Sequence, residues 1–149
     1  MLVRRIILSL FVLLFTAVFS YAEGNSSADD KGDIEQAINT YVKSIDTQNA
    51  DNLQKTIVQH GSIVTLNKIT NKIDDYTASD FVALVKSHQK GGWVRNVSIN
   101  SVEVNGTTAT AKVEISDARL LRSGFFTLVK EGNTWKVASE VTSLELKKK

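Results

Sequence analysis

Cysteine and proline are both absent from this chain of 149 residues. The lack of cysteine excludes disulfide bonds, thiol chemistry and a lipid anchor attached to a cysteine. The lack of proline means that every residue keeps its backbone N–H, so long unbroken helices and strands are allowed. Such a chain depends on an apolar core rather than on cross-links.

Net charge is also nearly absent. The chain has 18 basic and 16 acidic residues, and Arg4 and Arg5 are the only charged residues among the first 22. Without that segment the chain is formally neutral, so no overall positive field would attract nucleic acid or an anionic membrane. The basic cluster at residues 147–149 lacks interleaved aromatic residues and is predicted to be a solvated tail. We therefore expect no nucleic-acid partner.

The first 22 residues predict a signal peptide. Arg4 and Arg5 precede an apolar run at residues 6–19, and Ser20-Tyr21-Ala22 supplies a small-x-small cleavage site. The run is shorter than the roughly 20 residues that a membrane-spanning helix needs. We expect cleavage after Ala22, a periplasmic or secreted location, and no membrane attachment of the mature protein.

The mature chain is predicted to form one domain, residues 33–146, between a flexible leader at residues 23–32 and the basic tail. A first helix has its apolar residues on one stripe, which consists of Ile34, Ala37, Ile38, Tyr41, Val42 and Ile45. A short second helix surrounds Leu53, and a third begins at Thr77 with a hydroxyl cap and ends near His88. Between them a strand is predicted at residues 63–66. The polar stretch at residues 67–76 is compatible with a second strand containing Ile69 and Ile73 or with a loop, and we expect an irregular hairpin.

The rest of the chain predicts long antiparallel strands. The apolar residues change phase between Ile99 and Val102, which requires a bulge there. Asn105-Gly106 predicts a tight hairpin turn, and so does the Glu-Gly-Asn sequence around Gly132. The last strand is expected to carry on one face the residues Trp135, Val137 and Val141.

One strand has large apolar residues on both faces, namely Leu120-Leu121, Phe125-Phe126 and Leu128-Val129. An open antiparallel sheet tolerates this only if both faces are covered. Helices account for one face, and a monomer rarely exposes a large apolar patch on the other. We therefore predict a homodimer through the convex face of the sheet, with Leu120, Phe126 and Leu128 at the interface.

The order of these elements resembles the NTF2-like superfamily, and within it the small secreted group called "putative lumazine-binding" or SnoaL-like. The similarity spans residues 33 to about 146 and is carried by IEQAINTYV (34–42), DTQNADNL (46–53), SDFVALV (79–85) and FTLVKEGNTWKV (126–137). The resemblance implies an α+β cone in which three N-terminal helices pack on a curved antiparallel sheet. It also implies a pocket between helices and sheet and a dimer through the convex face. Relatives often have a His-Pro-Asp-like step where this chain has His60-Gly61-Ser62.

Candidate residues for lining this pocket are Tyr41, Ile45, His60, Phe81, Trp93, Phe125 and Trp135. Tyr41 lies in the middle of the apolar stripe, and a buried phenol requires a hydrogen-bond partner. The two histidines are not spaced as metal ligands, and no nucleophile elbow, phosphate loop or dinucleotide fingerprint is present. We therefore expect no catalytic set, no metal and no cofactor.

Two other groups of charged residues are interpreted as structural. Asp74-Asp75-Tyr76 precedes a helix cap in the most polar stretch of the chain, which favours turn and helix-dipole interactions. Arg119 and Arg122 begin a strand and are interpreted as solvated charges, although they could clamp an anion.

Three functions are compatible with the sequence. The first is non-catalytic binding of a small apolar or aromatic ligand in the pocket. The second is a cofactor-free isomerase, dehydratase or hydrolase that uses His60, Tyr41 or an aspartate. The third is a structural or interaction domain without a ligand. A buried carboxylate or imidazole beside Tyr41 would favour the enzyme, a dry aromatic cavity would favour binding, and no cavity would favour the structural role.

Overall fold

The computed structural model describes residues 26–148, with side chains from residue 29 onward. The predicted signal peptide, residues 23–25 and the last residue lie outside this part of the chain. The elements are α1 (Ser26–Asp46), α2 (Ala50–Thr56), β1 (Ile57–Asn67), β2 (Lys72–Thr77), α3 (Ala78–Lys86), β3 (Asn96–Asn105), β4 (Thr108–Ser116), β5 (Leu120–Glu131) and β6 (Thr134–Leu146).

Six strands form one sheet in the order β2-β1-β6-β5-β4-β3. β1 and β6 are parallel, and the other neighbouring strands are antiparallel. The helices pack on one face, where α1 contacts β3 and β6 and α3 contacts β1 and β2. We call this the inner face and the opposite one the outer face. The predicted α+β class, with three helices on a curved sheet, is confirmed, while the parallel β1–β6 pair departs from the expected antiparallel sheet.

Helix α1 packs through its predicted apolar stripe, but it begins earlier than predicted. It starts at Ser26, so residues 26–32 of the predicted flexible leader are helical. The reason is a tertiary contact at Asp30, whose Oδ1 accepts hydrogen bonds from Lys130 Nζ (2.6 Å) and Trp135 Nε1 (3.1 Å). This contact ties the first turns to the β5–β6 hairpin and outweighs the low helix propensity of small polar residues.

The Asp30 contact predicts a pH-dependent contribution to stability. The hydrogen bond from Lys130 and that from Trp135 lower the pKa of the Asp30 carboxyl below its usual 3.8. A lowered folded-state pKa stabilises the fold fully above the unfolded pKa, and that stabilisation is lost as the pH falls through the folded pKa. We expect Asp30→Asn to shift the urea midpoint at pH 7 downward, and the difference from the wild type to shrink below about pH 4.

Asp29→Asn is the matched control, because Asp29 is exposed in the same helical turn. It changes the same charge near the helix start without removing the contact to Lys130 and Trp135. Equal shifts for the two variants would show that the helix dipole, rather than this contact, is responsible.

The other predicted helix ends and hairpins are confirmed in outline. Thr77 Oγ1 accepts from the Asp80 backbone N–H (3.2 Å) at the start of α3, as the hydroxyl cap predicts. Helix α3 ends at Lys86, slightly before the predicted end. β1 and β2 form the hairpin expected from the polar stretch. Gly106 (φ 59) and Gly132 (φ 60) occupy the turns of the two predicted tight hairpins.

Bulges set which residues of β3 and β6 face the helices. The predicted bulge in β3 lies at residue 100. A second one was not predicted: Thr127 and Leu128 of β5 pair with Ser139 and Val137 of β6, so Ala138 is an extra residue. Because the side-chain period of a strand is two, this extra residue reverses the faces beyond it.

The bulge at Ala138 corrects the predicted face of β6. Trp135 and Val137 are buried as predicted, but Val141 lies on the outer face with 53% of its surface exposed. Glu140 and Thr142 take the inner positions instead and are both buried. A carboxylate therefore enters the core side of the sheet where a valine was expected.

The two phenylalanines of β5 lie on opposite faces of the sheet, as predicted, but each lies on the face that was predicted for the other. Phe126 and Leu128, expected at a dimer interface, are buried on the inner face opposite Ala111 and Ala109 of β4. Phe126 packs edge-on against Tyr41, with ring centroids 5.8 Å apart. Phe125, expected in the pocket, is 55% exposed on the outer face. Leu120, the third predicted interface residue, is half-buried and shares the inner phase of the strand.

Candidate functional site

A small cavity lies on the inner face between α1, α3, the segment 87–95 and the strands β1, β2, β4, β5 and β6. Its volume is about 30 Å³, which is room for about one or two water molecules. Apolar walls come from Ile45, Ile63, Phe81 and Ile115, and the remaining lining is polar or aromatic. The cavity therefore combines an apolar wall with hydrogen-bonding and charged side chains.

The polar floor is a buried network centred on Glu140, which is 3% exposed. Tyr41 Oη donates to Glu140 Oε2 at 2.9 Å, and Arg122 Nη1 donates to Glu140 Oε1 at 3.0 Å. The same Arg122 nitrogen donates to the hydroxyls of Thr65 (2.7 Å) and Thr142 (3.3 Å). Both carboxylate oxygens are thus engaged, and four elements of the fold converge on one ion pair.

Tyr41 remains a neutral hydrogen-bond donor in this network. Burial, and then the charge of Glu140, raise the pKa of the Tyr41 hydroxyl well above its usual 10.0. The positive charges of Arg122 and Arg95 act in the opposite direction on the same pKa. The expected partner for a buried Tyr41 phenol is therefore Glu140.

The rim of the cavity is formed by the segment 87–95, which connects α3 to β3. Arg95 Nε donates to Asp46 Oδ1 at 2.6 Å, and the Arg95 guanidinium lies 4.7 Å from the Trp93 ring centroid. Lys90 Nζ lies 5.3 Å from the ring centroid of Tyr76. The segment 87–95 thus contributes three side chains to the mouth of the cavity, the cationic Lys90 and Arg95 and the aromatic Trp93.

Backbone contacts fix this rim against the end of α1. Gln48 Nε2 donates to the Lys90 carbonyl (3.2 Å), and the Gly92 N–H donates to the Asp46 carbonyl (3.0 Å). Gly91 has φ 94, and a Cβ there would lie 2.1 Å from the Ile45 carbonyl oxygen. Only glycine permits so close an approach at positive φ.

Four of the seven predicted pocket residues line the cavity, namely Tyr41, Ile45, Phe81 and Trp93. His60 does not, because it is exposed in the irregular segment of β1, residues 58–61, that lies opposite Ala138. Trp135 is buried away from the cavity at the Asp30 contact. Phe125 lies on the outer face, as described above.

Several residues of the site were not predicted, or were interpreted differently. Arg122 is not a solvated strand-end charge, since its side chain is 21% exposed and holds the ion pair with Glu140. Asp74 and Tyr76 line the cavity rather than serving only turn chemistry. Glu140 had no local signal, because alternation from Trp135 places it on the wrong face unless the bulge is known.

Within residues 26–148, no group of three or more histidine or acidic side chains is arranged to hold a metal ion. In the same range, no helix has the length and apolar character needed to cross a membrane.

Solved structures share this fold at low sequence identity. An NTF2-like protein of unknown function from Silicibacter pomeroyi is 17% identical with a TM-score of 0.68, over 82% of this chain and 99% of that chain. An NTF2-like protein of unknown function from Methylobacillus flagellatus is 20% identical with a TM-score of 0.67, over 81% and 96%. A ketosteroid isomerase-like protein from Erwinia carotovora atroseptica is 14% identical with a TM-score of 0.59, over 76% and 94%. At these identities the similarity establishes the fold alone.

Sequence comparison adds the family. No curated protein matches the chain. A family model described as "Putative lumazine-binding" matches residues 29–142, from the first turns of α1 to the Thr142 of the cavity floor. The chain therefore belongs to the "Putative lumazine-binding" family and has the NTF2-like fold.

Proposed function

We propose that this protein is an exported binding protein that holds a small molecule at the cavity beside Tyr41 and Glu140, without transforming it. The observation that carries this proposal is the position of the Glu140–Arg122 ion pair at a cavity wall. Removing two charges from water is expensive, and well-packed apolar residues often serve stability at least as well. A role in recognising a ligand gives a reason for the charges to be there.

The cavity sets a condition on binding. A volume of about 30 Å³ is far below the several hundred Å³ of a typical ligand pocket. A ligand larger than water must therefore displace rim side chains, and Trp93 is the exposed aromatic residue of that rim. We therefore expect the segment 87–95 to move when the ligand binds. The ligand would then contact Tyr41, Ile45, Phe81 and Trp93.

A cofactor-free enzyme is the second candidate, because a buried carboxylate does lie beside Tyr41. A general base needs a free lone pair within reach of the substrate proton. Glu140 Oε2 accepts from Tyr41, and Oε1 accepts from Arg122 and from the Thr142 hydroxyl (3.3 Å). Three of the roughly four lone-pair sites of the carboxylate are therefore already used, so Glu140 has little capacity left to accept a substrate proton, which favours binding over catalysis.

The proposal includes a homodimer through the outer face. Phe125, Val141 and Val64 are in register across β5, β6 and β1. Phe125 and Val141 are each more than half exposed, so the middle of the outer face carries an apolar row. A second copy of the chain fits such a row, because a two-fold axis would place the same apolar side chains on each side.

Native mass spectrometry of the protein purified from its own cell envelope tests these points together. We expect a chain that begins at Glu23, a dimer, and a small molecule released on activation. Phe125→Lys should give monomers, while the control Gln54→Lys, at an exposed position of α2 on the helix side of the sheet, should leave the dimer in place. An empty monomer would contradict both the ligand and the dimer, and a chain that retains residues 1–22 would contradict the export signal.

A further inference from the structure

We propose that the cavity recognises a small aromatic carboxylate, held through Arg95 and Arg122 with its ring against Trp93. This rests on the proposed binding function and specifies the class of ligand. The observation behind the proposal is that some guanidinium N–H groups at the cavity have no hydrogen-bond acceptor among the described residues.

Arg95 supplies the first free donor. Its side chain is 10% exposed and lines the cavity. Nε is bonded to Asp46 Oδ1, and Nη2 lies 2.6 Å from the same oxygen but out of line for a hydrogen bond. Nη2 is buried and has no hydrogen-bond partner among the described residues. The Asp46 contact can use at most one of the two N–H groups of Nη2, so the other can take an acceptor supplied by a ligand.

Arg122 supplies the second. All three of its hydrogen bonds to described residues come from Nη1. A guanidinium has five N–H donors in a planar fork, so Nε and Nη2 keep donors that no residue of 26–148 uses. Lys90 adds a third cation at the rim, held over Tyr76 rather than in an ion pair.

These free groups define the chemistry of the ligand. Guanidinium and ammonium groups only donate, so the ligand atoms facing them must be acceptors. The planar oxygen pair of a carboxylate matches a guanidinium fork and forms charge-assisted hydrogen bonds. Asp46 already balances Arg95 from outside the cavity, so the gain comes from these bonds rather than from a net positive charge.

The rest of the lining fixes the body of the ligand. Trp93, Tyr76 and Phe81 present flat aromatic surface beside the cations, and Arg95 already stacks on Trp93. Asp74 is the one lining carboxylate with no ion pair among the described residues. It would repel a second negative charge and would accept from a ligand hydroxyl, so a monocarboxylate with a phenolic hydroxyl fits best.

Titration with 4-hydroxybenzoate and its uncharged isostere 4-hydroxybenzamide tests the inference on the full-length mature protein. The readout is the indole N–H signal of Trp93 in ¹H–¹⁵N spectra, with the Trp135 signal as an internal control, because that indole is buried and bonded to Asp30. We expect the benzoate to shift the Trp93 signal and to bind at least about 10-fold more tightly than the amide.

Variants assign the preference to the two arginines. Arg95→Gln and Arg122→Gln should each abolish the 10-fold preference, and Lys90→Gln, at a half-buried rim position that stabilises no buried charge, should reduce it without a risk to folding. Arg119→Gln removes the same charge from an exposed site and should leave the preference intact. Equal affinities for acid and amide would overturn the carboxylate class while leaving ligand binding in place. No response of Trp93 to either compound would overturn the inference, and the envelope-purified protein would still decide whether a ligand of another class is bound.

Discussion

Glu140→Ala should lower the free energy of unfolding by about 3 kcal/mol or more, because it breaks a buried ion pair from one side. The variant leaves the Tyr41 hydroxyl without its acceptor and the Arg122 guanidinium without its counter-charge. Each unsatisfied buried group adds a desolvation cost of about 1–3 kcal/mol. Urea unfolding followed by circular dichroism measures the change, and Glu140→Gln should lose less because it keeps an acceptor of the same shape.

Glu145→Ala is the matched control on the same strand. Glu145 pairs with Lys68 at 3.0 Å, but both side chains are more than a third exposed. An exposed pair of this kind contributes about 1 kcal/mol or less. If Glu140→Ala cost no more than Glu145→Ala, the network at the cavity floor would not stabilise the fold.

Gly124→Ala should lower the free energy of unfolding about as much as Glu140→Ala, for a purely steric reason. A Cβ at position 124 would lie 2.1 Å from the Val141 carbonyl oxygen and 2.7 Å from Thr142 Cα. Both are backbone atoms of the neighbouring strand, so no side-chain rotation relieves the clash, and β5 and β6 must separate. Forced overpacking costs typically 1–3 kcal/mol and occasionally more, and we expect about 3 kcal/mol in urea unfolding.

Gly32→Ala provides the opposite expectation with the same added methyl group. Gly32 lies inside α1, and a Cβ there would meet no atom within 4 Å. Alanine in a helix interior is more stable than glycine by about 0.5–1 kcal/mol, so this variant should raise the urea midpoint. A destabilised Gly32→Ala would contradict the helical assignment of residues 26–32.

Much of the fold was accessible from local patterns. The stripe around Tyr41 is an i, i+3, i+4 repeat, and the Thr77 cap is a local hydrogen bond. The phase change before Val102 was visible because both of its flanks are apolar. Each of these features is encoded within about ten residues, and each is present in the structure.

The candidate site was less accessible, because its members are brought together by register. Which of Phe125 and Phe126 faces the helices depends on which alternate residues of β5 point inward. Two adjacent aromatic residues do not indicate this, because either could be the inner one. Arg122 and Glu140 are separated by the whole β5–β6 hairpin and meet only because β6 has one extra residue. Asp30 and Lys130 are 100 residues apart in the sequence, so the local composition could not show that the predicted leader is helical.

The extra residue at Ala138 also bears on how relatives of this protein are compared. A relative without a residue at this point would keep Glu140 on the helix-facing side by simple alternation, whereas a relative that has the residue but pairs it in the ladder without a bulge would place Val141 there. Which residue faces the cavity therefore depends on whether the last strand has a bulge as well as on the residue types in that strand. At sequence identities of 14–20%, a one-residue gap in the last strand is easily misplaced, and the residue facing the cavity is then aligned with the wrong residue of a relative.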